Sequence, residues 1–393
     1  MLGSVPHAGL KHRVSLVLGT RPEAIKLAPV ILAFQGAGDF STRVIQTGQH
    51  QHLVKPVMDL FGLTPDQDLA LMTPRQSLAH ITCAALNGLQ EDFLRHPPDL
   101  VLVQGDTTTA FAAALAAFYQ RIPLAHVEAG LRTDDLFNPY PEEANRRLIG
   151  QLARLHFAPT PRAARNLKAA GALGAIALTG NTVIDALLTV ARQQPTCPVP
   201  GLAWDAQPVI LATVHRRENW GEPLQGIGRG LRQVLDHHPR VTLLLPLHPN
   251  PTVREPLQQM LADHPRAFLV EPLDYKALVG AMAGCTLVLT DSGGLQEEAP
   301  TLGKPVLVLR ATTERPEAVE AGAARLIGAS ASAILHEVSR LLTDAAAYNA
   351  MARAVNPFGD GQASGRIVAA CREFLHQPGR PTDRHGSVAG NPG

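Results

Sequence analysis

Short apolar runs alternate with helical patterns along most of the chain. In the first half they predict five buried parallel strands, at Val14–Leu18, Arg43–Gln46, Leu100–Val103, Leu124–Val127 and Leu155–Ala158. Segments with the spacing of an amphipathic helix, such as Ser77–Phe93 and Ala110–Tyr119, lie between them. This alternation is typical of βαβ units around a parallel sheet that is covered on both faces.

The same alternation begins again after a stretch that contains several prolines. Residues 193–208 show neither pattern, so we expect a linker there. Five more strands are predicted, at Val209–Ala212, Val241–Leu245, Phe268–Val270, Leu287–Leu289 and Val306–Leu309. Two such series predict an α/β fold of two doubly wound, Rossmann-like domains that face a cleft.

The predicted domain limits follow from these patterns. The first domain spans residues 13–192 and the second spans residues 209–363. A terminal helix at residues 364–376 can pack on either domain. The polar composition of residues 377–393, rich in Gly and Pro, predicts a disordered tail.

Composition narrows the class of protein. The chain has 393 residues, 45% hydrophobic and 18% charged, as soluble globular proteins have. A net charge of +1 indicates no nucleic-acid or membrane partner. The four cysteines are widely separated, which fits a reducing cytoplasm better than a disulfide framework or a metal cluster. No apolar segment resembles a signal peptide or a membrane span, so we expect a cytoplasmic protein.

The most informative turn follows a predicted strand that ends at Thr290. Ser292, Gly293 and Gly294 lead into a helix, whose first backbone N–H groups lack internal partners and attract anions. This pattern predicts a phosphate-binding turn. Glu298, one turn further, can accept hydrogen bonds from ribose hydroxyls. A plain strand-to-helix turn with a solvated Glu298 explains the same residues, so the other strand ends decide between the two interpretations.

Two cations follow the first predicted strand. Arg21 lies in the turn itself, where its planar guanidinium can clamp a phosphate, and Lys26 adds a point charge. Surface charges at a helix start are the alternative. The turn is neither a dinucleotide-binding GxGxxG loop nor a Walker loop, so no cofactor is predicted.

Three carboxylates follow other strands of the first half. Glu128 comes directly after an apolar strand, an unusual place for a charge without a role. Asp106 follows the strand before it and can cap a helix, face a ligand, or both. Glu142 opens a helix after Pro141, where acidic residues are common for electrostatic reasons alone, so a catalytic and a structural role are equally open.

The second half contributes histidines, cations and apolar side chains at its strand ends. His215 lies beside Arg216 and Arg217, while His248 fits a ligand group and an ordinary loop residue equally well. Further residues are predicted to flank a flat base or to lie near the phosphate turn: Leu273, Leu278 and Arg315. The histidines of Thr47-Gly-Gln-His-Gln-His52 do not have zinc-site spacing, so no metal is predicted.

Together these residues predict a cleft for a nucleotide diphosphate, with carboxylates facing the attached group. Several of the motifs closely resemble those of the non-hydrolysing UDP-N-acetylglucosamine 2-epimerases, and they occur in that family's order over about residues 14–376. They are Gly19-Thr-Arg-Pro-Glu-Ala-Ile-Lys26, Gly105-Asp-Thr-Thr-Thr109, His126-Val-Glu-Ala-Gly-Leu-Arg132, Pro141-Glu-Glu-Ala-Asn-Arg146, Gly180-Asn-Thr-Val-Ile-Asp185, His215-Arg-Arg-Glu218, Asp291-Ser-Gly-Gly294 and Thr313-Glu-Arg-Pro-Glu317.

The resemblance implies a GT-B-like pair of Rossmann domains, a cytoplasmic homodimer and a role for each motif residue. It implies that Glu298 holds the ribose and that Leu273 and Leu278 occupy the base pocket. The residues implied to contact the UDP-sugar are Arg21, Lys26, His215, Ser292, Gly293, Gly294 and Arg315. Those implied in catalysis are Asp106, Glu128, Glu142 and His215.

Some bacterial members of that family are activated by UDP-N-acetylglucosamine at a second site. Gln49, Gln51 and His248 lie at or near its positions. Gln51-His52 replaces the Arg-Glu pair that is commoner after Gln-His, which weakens the case for activation. Leu278 replaces a frequent aromatic residue, which affects base stacking rather than the reaction.

The chemistry of the implied reaction constrains the mechanism. The C2 hydrogen of the sugar is not acidic in the ground state, and no cofactor loop is present to oxidise a neighbouring hydroxyl. Breaking the C1–O bond to UDP develops positive charge beside C2, so the proton can leave and give 2-acetamidoglucal and UDP. Re-addition with protonation on the other face inverts C2, which serves precursor synthesis for surface polysaccharides.

Three other functions use the same kind of cleft. A hydrolysing epimerase would release UDP and free N-acetylmannosamine, but its first loop lacks the Pro-Glu-Ala-Ile-Lys continuation. A GT-B glycosyltransferase would use the same phosphate turn without needing three carboxylates on three loops. A non-catalytic UDP-sugar sensor would not need Asp106, Glu128 and Glu142 together.

Overall fold

The computed structural model describes residues 11–48, 51–71, 76–133, 135–204 and 206–377, with the backbone alone for Gln51 and His52. The predicted tail and Gln49 lie outside the described residues, apart from Gln377. Within the described ranges, no helix is both long and apolar enough to cross a membrane.

The first domain is built on a seven-stranded parallel sheet. Its strands are β1 (His12–Leu18), β2 (Phe40–Gln46), β3 (Gln67–Asp68), β4 (Leu100–Gln104), β5 (Leu124–Val127), β6 (Leu155–Ala158) and β7 (Ala175–Leu178). They lie in the order β3-β2-β1-β4-β5-β6-β7. β1, β4 and β5 are buried on both faces, as their continuous apolar runs predict.

The second domain repeats the arrangement with six parallel strands. They are β8 (Val209–Thr213), β9 (Thr242–Pro246), β10 (Ala267–Val270), β11 (Leu287–Thr290), β12 (Val306–Val308) and β13 (Ala324–Leu326). Their order, β10-β9-β8-β11-β12-β13, is the doubly wound order of a Rossmann fold. The prediction of two Rossmann-like domains is therefore confirmed.

Fifteen α-helices of the described residues surround the sheets. Those of the first half are α1 (Arg21–Gly36), α2 (Gln51–Leu60), α3 (Leu78–Arg95), α4 (Thr108–Tyr119), α5 (Glu142–Leu152), α6 (Pro161–Ala169) and α7 (Thr182–Ala191). Those of the second half are α8 (Glu222–His237), α9 (Pro251–Leu261), α10 (Tyr275–Gly284), α11 (Gly293–Glu298), α12 (Pro316–Glu320), α13 (Ala331–Thr343), α14 (Ala345–Ala352) and α15 (Ala363–His376). Two 3₁₀ turns cover Arg217–Asn219 and Ala299–Leu302.

The strand order places a switch point in each sheet. In the first sheet the order reverses between β1 and β4, and in the second between β8 and β11. Ligands of such sheets bind beyond the carboxyl ends of the strands at these points. The loops after these four strands are therefore the candidate site, and they carry most of the predicted residues.

The terminal helix α15 packs on the first domain, against α1 and α7. The Asp185 carboxylate accepts hydrogen bonds from the backbone N–H groups of Ala363 (3.2 Å) and Ser364 (2.8 Å) at its start. Near its other end, Arg372 pairs with Asp39 at 2.6 Å. The chain therefore crosses back from the second domain before it ends, a choice that the sequence left open.

Three strands were not predicted from the sequence, namely β3, β7 and β13. β3 and β7 are the two edges of the first sheet and β13 is one edge of the second. They have two to four residues and few fully buried positions, so they lack the apolar run that marks a central strand.

Two glycines in the turn before β7 provide a matched test of the backbone. Both have positive φ, +65° at Gly171 and +91° at Gly174. A Cβ at Gly174 would overlap the Arg154 carbonyl oxygen, whereas nothing lies within 4 Å of a Cβ at Gly171.

We expect Gly174→Ala to lower the free energy of unfolding by about 3 kcal/mol or more, because it adds a clash to the strain of positive φ. Gly171→Ala adds the strain alone and should cost roughly 1 kcal/mol. Urea denaturation of both variants checks this difference. Equal losses would contradict the contact with Arg154.

Candidate active site

The loop after β1 is held in place by a buried carboxylate. A Cβ at Gly19 would overlap the hydroxyls of Thr47 and Thr109, so only glycine fits there. Glu23 accepts hydrogen bonds from the Gly19 backbone N–H (3.0 Å) and the Thr107 hydroxyl (2.6 Å). Burial raises the pKa of Glu23, and these bonds partly offset the effect. Glu23, which was not predicted as a site residue, thus ties the loop after β1 to the loop after β4.

Glu128 is the most tightly held of the three predicted carboxylates. It follows β5 with φ +61°, a left-handed conformation that costs energy in a non-glycine residue. Lys26 Nζ lies 2.6 Å from both of its oxygens. The side-chain amides of Gln104 and Asn181 also donate to it, Asn181 at 2.9 Å. Three donors therefore fix one carboxylate at the end of the first sheet.

These donors keep Glu128 ionised although it is buried. Burial acts to raise its pKa, but the charges of Lys26 and Arg315 and the hydrogen bonds outweigh it, so the pKa is lowered. For Lys26, burial acts to lower the pKa, and Glu128 and then Glu297 raise it above its ordinary value. Both members of the pair are therefore charged at neutral pH.

For Asp106, in contrast to Glu128, the effect of burial on the pKa outweighs that of its charged partner. Its carboxylate pairs with Arg146 at 2.6 Å in the loop after β4. Burial nevertheless raises the pKa of Asp106; Arg146 offsets only part of this, and the charges of Glu128 and Glu142 add to the increase. Neighbouring carboxylates with pKa values pushed apart are the usual arrangement of a general base and a general acid.

The structure separates Glu142 from its neighbour Glu143. Glu142 is half-buried at the first position of α5, close enough to Asp106 to influence its pKa. Glu143 is fully buried, pairs with Arg147 (2.6 Å) and accepts the Thr133 backbone N–H (3.1 Å). Glu143 therefore has a structural role, and Glu142 remains the candidate for chemistry.

His215 lies after β8 and is oriented by Asp291. Its Nδ1 lies 2.8 Å from an Asp291 oxygen. Asp291 is fully buried and also accepts hydrogen bonds from the Arg216 backbone N–H (2.9 Å) and the Asn219 amide (3.0 Å). Burial acts to raise the pKa of Asp291, but the bonds to His215 lower it overall. An ionised Asp291 keeps a proton on Nδ1, so Nε2 is the nitrogen left for a ligand.

His248 lies next to His215 at the end of the second sheet. The two rings are nearly parallel with centroids 6.2 Å apart. Burial, then the charge of His215, lowers the pKa of His248. Gln49 and the side chain of Gln51 lie outside the described residues, so the activating site stays a prediction.

The turn after β11 has the predicted form. Ser292 is the N-cap residue of α11 and Gly293 and Gly294 form its first positions. A Cβ at Gly294 would lie 3.5 Å from a Glu298 oxygen, so that carboxylate lies over the turn. The backbone can therefore approach a phosphate closely beside Glu298.

Glu298 is buried at the end of α11 and accepts a hydrogen bond from the Tyr275 hydroxyl at 2.8 Å. Burial raises the pKa of Glu298 to about 7, and the Tyr275 bond offsets it only partly. The charge of Arg21, from the first domain, also acts to lower the pKa of Glu298. Leu273 and Leu278 are half-buried and pack against the same core as Tyr275.

A largely buried group of charges lies where the two domains meet. Glu297, 2% exposed, accepts a hydrogen bond from Arg315 Nε and another from the Asn181 amide at 2.7 Å. The same amide nitrogen donates to Glu128 of the first domain. We call Lys26, Glu128, Asn181, Glu297 and Arg315 the buried charge cluster. Asn181 and Glu297 were not predicted as site residues, although Asn181 lies in a quoted motif and Glu297 comes three residues after another.

In the part of the chain that the structure describes, no group of three or more His, Cys, Asp or Glu side chains is arranged to hold a metal ion.

The chain matches a known protein family over most of its length. The family model for UDP-N-acetylglucosamine 2-epimerase matches residues 32–372. The chain belongs to the UDP-N-acetylglucosamine 2-epimerase family. The prediction of the family is thereby confirmed.

The chain is similar to members of this family over nearly its whole length. The chain is 48% identical over 370 residues to the UDP-N-acetylglucosamine 2-epimerase of Escherichia coli (strain K12), covering 92% of this chain and 98% of that protein. It is 46% identical over 381 residues to that of Bacillus subtilis (strain 168), covering 97% and 99%. A crystal structure of UDP-GlcNAc 2-epimerase from Neisseria meningitidis bound to UDP-GlcNAc has a TM-score of 0.83 and 45% identity, covering 92% and 100%.

The raised pKa of Glu298 predicts a pH dependence of stability. Folding raises the pKa from the ordinary 4.5 to about 7. Between these values the folded state binds a proton that the unfolded state lacks, so this contribution is full below pH 4.5 and is lost as pH rises through 7.

We therefore expect the stability of the wild type relative to Glu298→Gln to fall by about 3 kcal/mol between pH 4.5 and 8. Urea denaturation of both proteins at a series of pH values measures the difference. The exposed Glu320→Gln serves as a control for the Glu-to-Gln change outside a buried site. A difference for Glu298→Gln that grows with pH would contradict the burial of a protonated carboxyl.

Proposed function

We propose that the protein interconverts UDP-N-acetylglucosamine and UDP-N-acetylmannosamine by inverting C2 of the sugar. The observation that carries the proposal is that Glu128 of the first domain lies beside Glu297 of α11, the helix that begins at the turn of Ser292 and Gly293 in the second domain. The N. meningitidis relative was crystallised with UDP-GlcNAc, which supports that substrate.

UDP is proposed to bind mainly to the second domain. Its diphosphate lies at the turn of Ser292, Gly293 and Gly294, where free backbone N–H groups meet the anion. The ribose is held by Glu298, and the base lies between Leu273 and Leu278. Cations complete the diphosphate site from both sides of the cleft: Arg21, Lys26 and Arg315.

The proposed reaction starts with loss of UDP from C1. The bonding electrons of the C1–O bond leave with the diphosphate oxygen, whose charge is stabilised by the backbone N–H groups of the turn after β11, and His215, oriented by Asp291, lies beside that leaving group. The C2 proton then passes to a base, which gives 2-acetamidoglucal. UDP adds back to C1 while an acid delivers a proton to the other face of C2, so UDP and all electrons are recovered.

The geometry favours one assignment of the two carboxylates. Glu128 is held ionised by Lys26 and is proposed as the base that removes the proton from UDP-N-acetylglucosamine. Asp106 is proposed as the acid, because burial favours its protonated form. Each exchanges its proton with solvent between turnovers, and in the reverse direction their roles exchange. Glu142 is proposed to support protonation of Asp106 through its nearby negative charge.

A homodimer is proposed from the exposed apolar residues of the first domain. Leu94 on α3 and Phe118 and Tyr119 on α4 are more than half exposed, on two helices that pack together. Covering such side chains is a common reason for self-association. A cytoplasmic location, activation through Gln49, Gln51 and His248, and use of the product for polysaccharide precursors remain predictions of the same proposal.

Substitution of the carboxylates tests their chemical role. We expect Glu128→Gln and Asp106→Asn to lower kcat by about 10² or more, because each removes a proton-transfer group. The affinity for UDP, measured by calorimetry, should stay within about tenfold, since UDP is proposed to bind mainly to the other domain. Near-normal turnover in both variants would make these residues structural.

Isotope incorporation tests the elimination route. Because different groups act on the two faces, the proton that returns to C2 is not the one that left. Turnover in D₂O should therefore place deuterium at C2 of the product, seen by NMR, without added NAD. Product with only protium at C2 after full conversion would instead indicate internal return of a hydride.

A further inference from the structure

Asn181 lies between β7 and α7 and contacts a carboxylate of each domain. Its Oδ1 accepts the Val183 backbone N–H (3.3 Å) and so caps α7. This contact turns the amide nitrogen toward the cleft, where it donates to Glu128 (2.9 Å) and Glu297 (2.7 Å). The side chain is 2% exposed, and both of its N–H bonds are used by carboxylates.

We propose that Asn181 is a positioning residue for the C2 proton transfer, which lets ionised Glu128 take its working position only when Glu297 of the second domain docks beside it. This rests on the proposed function, in which Glu128 is the base. Domain closure would then assemble the base as well as exclude water.

The electrostatic reason is the approach of two like charges. Carboxylates that share a site repel each other, and one of them takes up a proton unless donors separate them. Lys26 serves Glu128 and Arg315 serves Glu297, while Asn181 fills the gap between them with a neutral double donor. The pair from each domain has no net charge, so the two pairs can approach without net repulsion.

The charged groups around Glu128 determine whether its pKa is raised or lowered. The titratable and charged groups that act on it come from five parts of the chain and include one like charge from the other domain. They are Lys26 of α1, Asp106 after β4, His126 of β5, and Glu297 and Arg315 of the second domain. Glu297 is the carboxylate that Asn181 separates from Glu128.

The backbone where the chain returns to the first domain ties Asn181 to Glu297 a second time. The Asn181 backbone N–H donates to the Phe358 carbonyl at 2.6 Å. Two residues earlier, the Asn356 amide donates to the Glu297 carbonyl at 2.7 Å. The segment that crosses between the domains thus contacts both Asn181 and Glu297. A shift of one domain relative to the other would therefore change the position of Asn181.

The test uses variants that keep the helix cap. Ser and Asp are both good N-cap residues, but neither supplies the two N–H donors. We expect Asn181→Ser to lower kcat by about 30-fold or more, within the range for impaired acid–base catalysis. The Kd for UDP should change by less than about threefold, because Asn181 does not belong to the proposed UDP site.

The pH profile of kcat separates positioning from a structural effect. Asn181→Asp places a third carboxylate between two others, so the acid limb should move up by about one pH unit or more. Glu297→Gln removes the like charge beside Glu128, so the acid limb should move down. A residue that only stabilises the fold would not give shifts of opposite sign.

Two controls accompany these variants. Glu320→Gln breaks the Arg162–Glu320 ion pair (2.6 Å), which also links the domains but lies away from the buried charge cluster, and should leave kcat and its pH profile unchanged. Asn181→Ala removes the cap and the donors together. If only the cap matters, Ala alone will lose activity, and Ser and Asp will behave like wild type.

The outcomes separate this inference from the proposed function. An active wild type whose Asn181→Ser and Asn181→Asp variants keep kcat within twofold and an unshifted acid limb would overturn the positioning role alone. A wild type that does not epimerise UDP-N-acetylglucosamine would overturn the function, and this inference with it. Should Asn181→Ser fail to fold, the opposite shifts of Asn181→Asp and Glu297→Gln still decide the matter.

Discussion

The arrangement of the whole molecule depends on bringing two buried carboxylates together with two partly buried cations. Isolated buried charges are costly, and they are tolerated only when they are paired and hydrogen-bonded. Lys26 and Glu128 form one pair in the first domain, and Arg315 and Glu297 form the other in the second. Because the amide of Asn181 joins the pairs, closure of the two domains and completion of the site are one structural event.

The buried charge cluster lies between the two proposed parts of the site, one for the diphosphate and one for proton transfer at the sugar. In the proposed binding mode, the positive side chains and the turn after β11 lie against the diphosphate, where they would stabilise the leaving anion. On the sugar side, Lys26 holds Glu128 ionised, while burial favours a protonated Asp106. The pKa values of the two carboxyls are thus shifted in opposite directions, which suits a proposed reaction in which a proton leaves one face and returns to the other.

Much of this could be predicted from the chain. The central strands are continuous apolar runs, and residues that directly follow them must meet at the carboxyl edge of a parallel sheet. That rule placed Arg21, Glu128, His215 and Ser292 at the cleft, and the family was recognisable from the same motifs. The edge strands escaped prediction because two to four half-exposed residues leave no apolar pattern.

The sequence alone determined the fold class, the family and the loops that carry the chemistry, because periodicity and motif spacing are local properties. Only the tertiary structure decided which side chains touch. Asn181 contacts Glu128 across 53 positions of the chain and Glu297 across 116. Asp291 orients His215 across 76 positions. Such partners are set by how two sheets and a returning helix pack, and the pKa values follow from that packing, so no local pattern could reveal them.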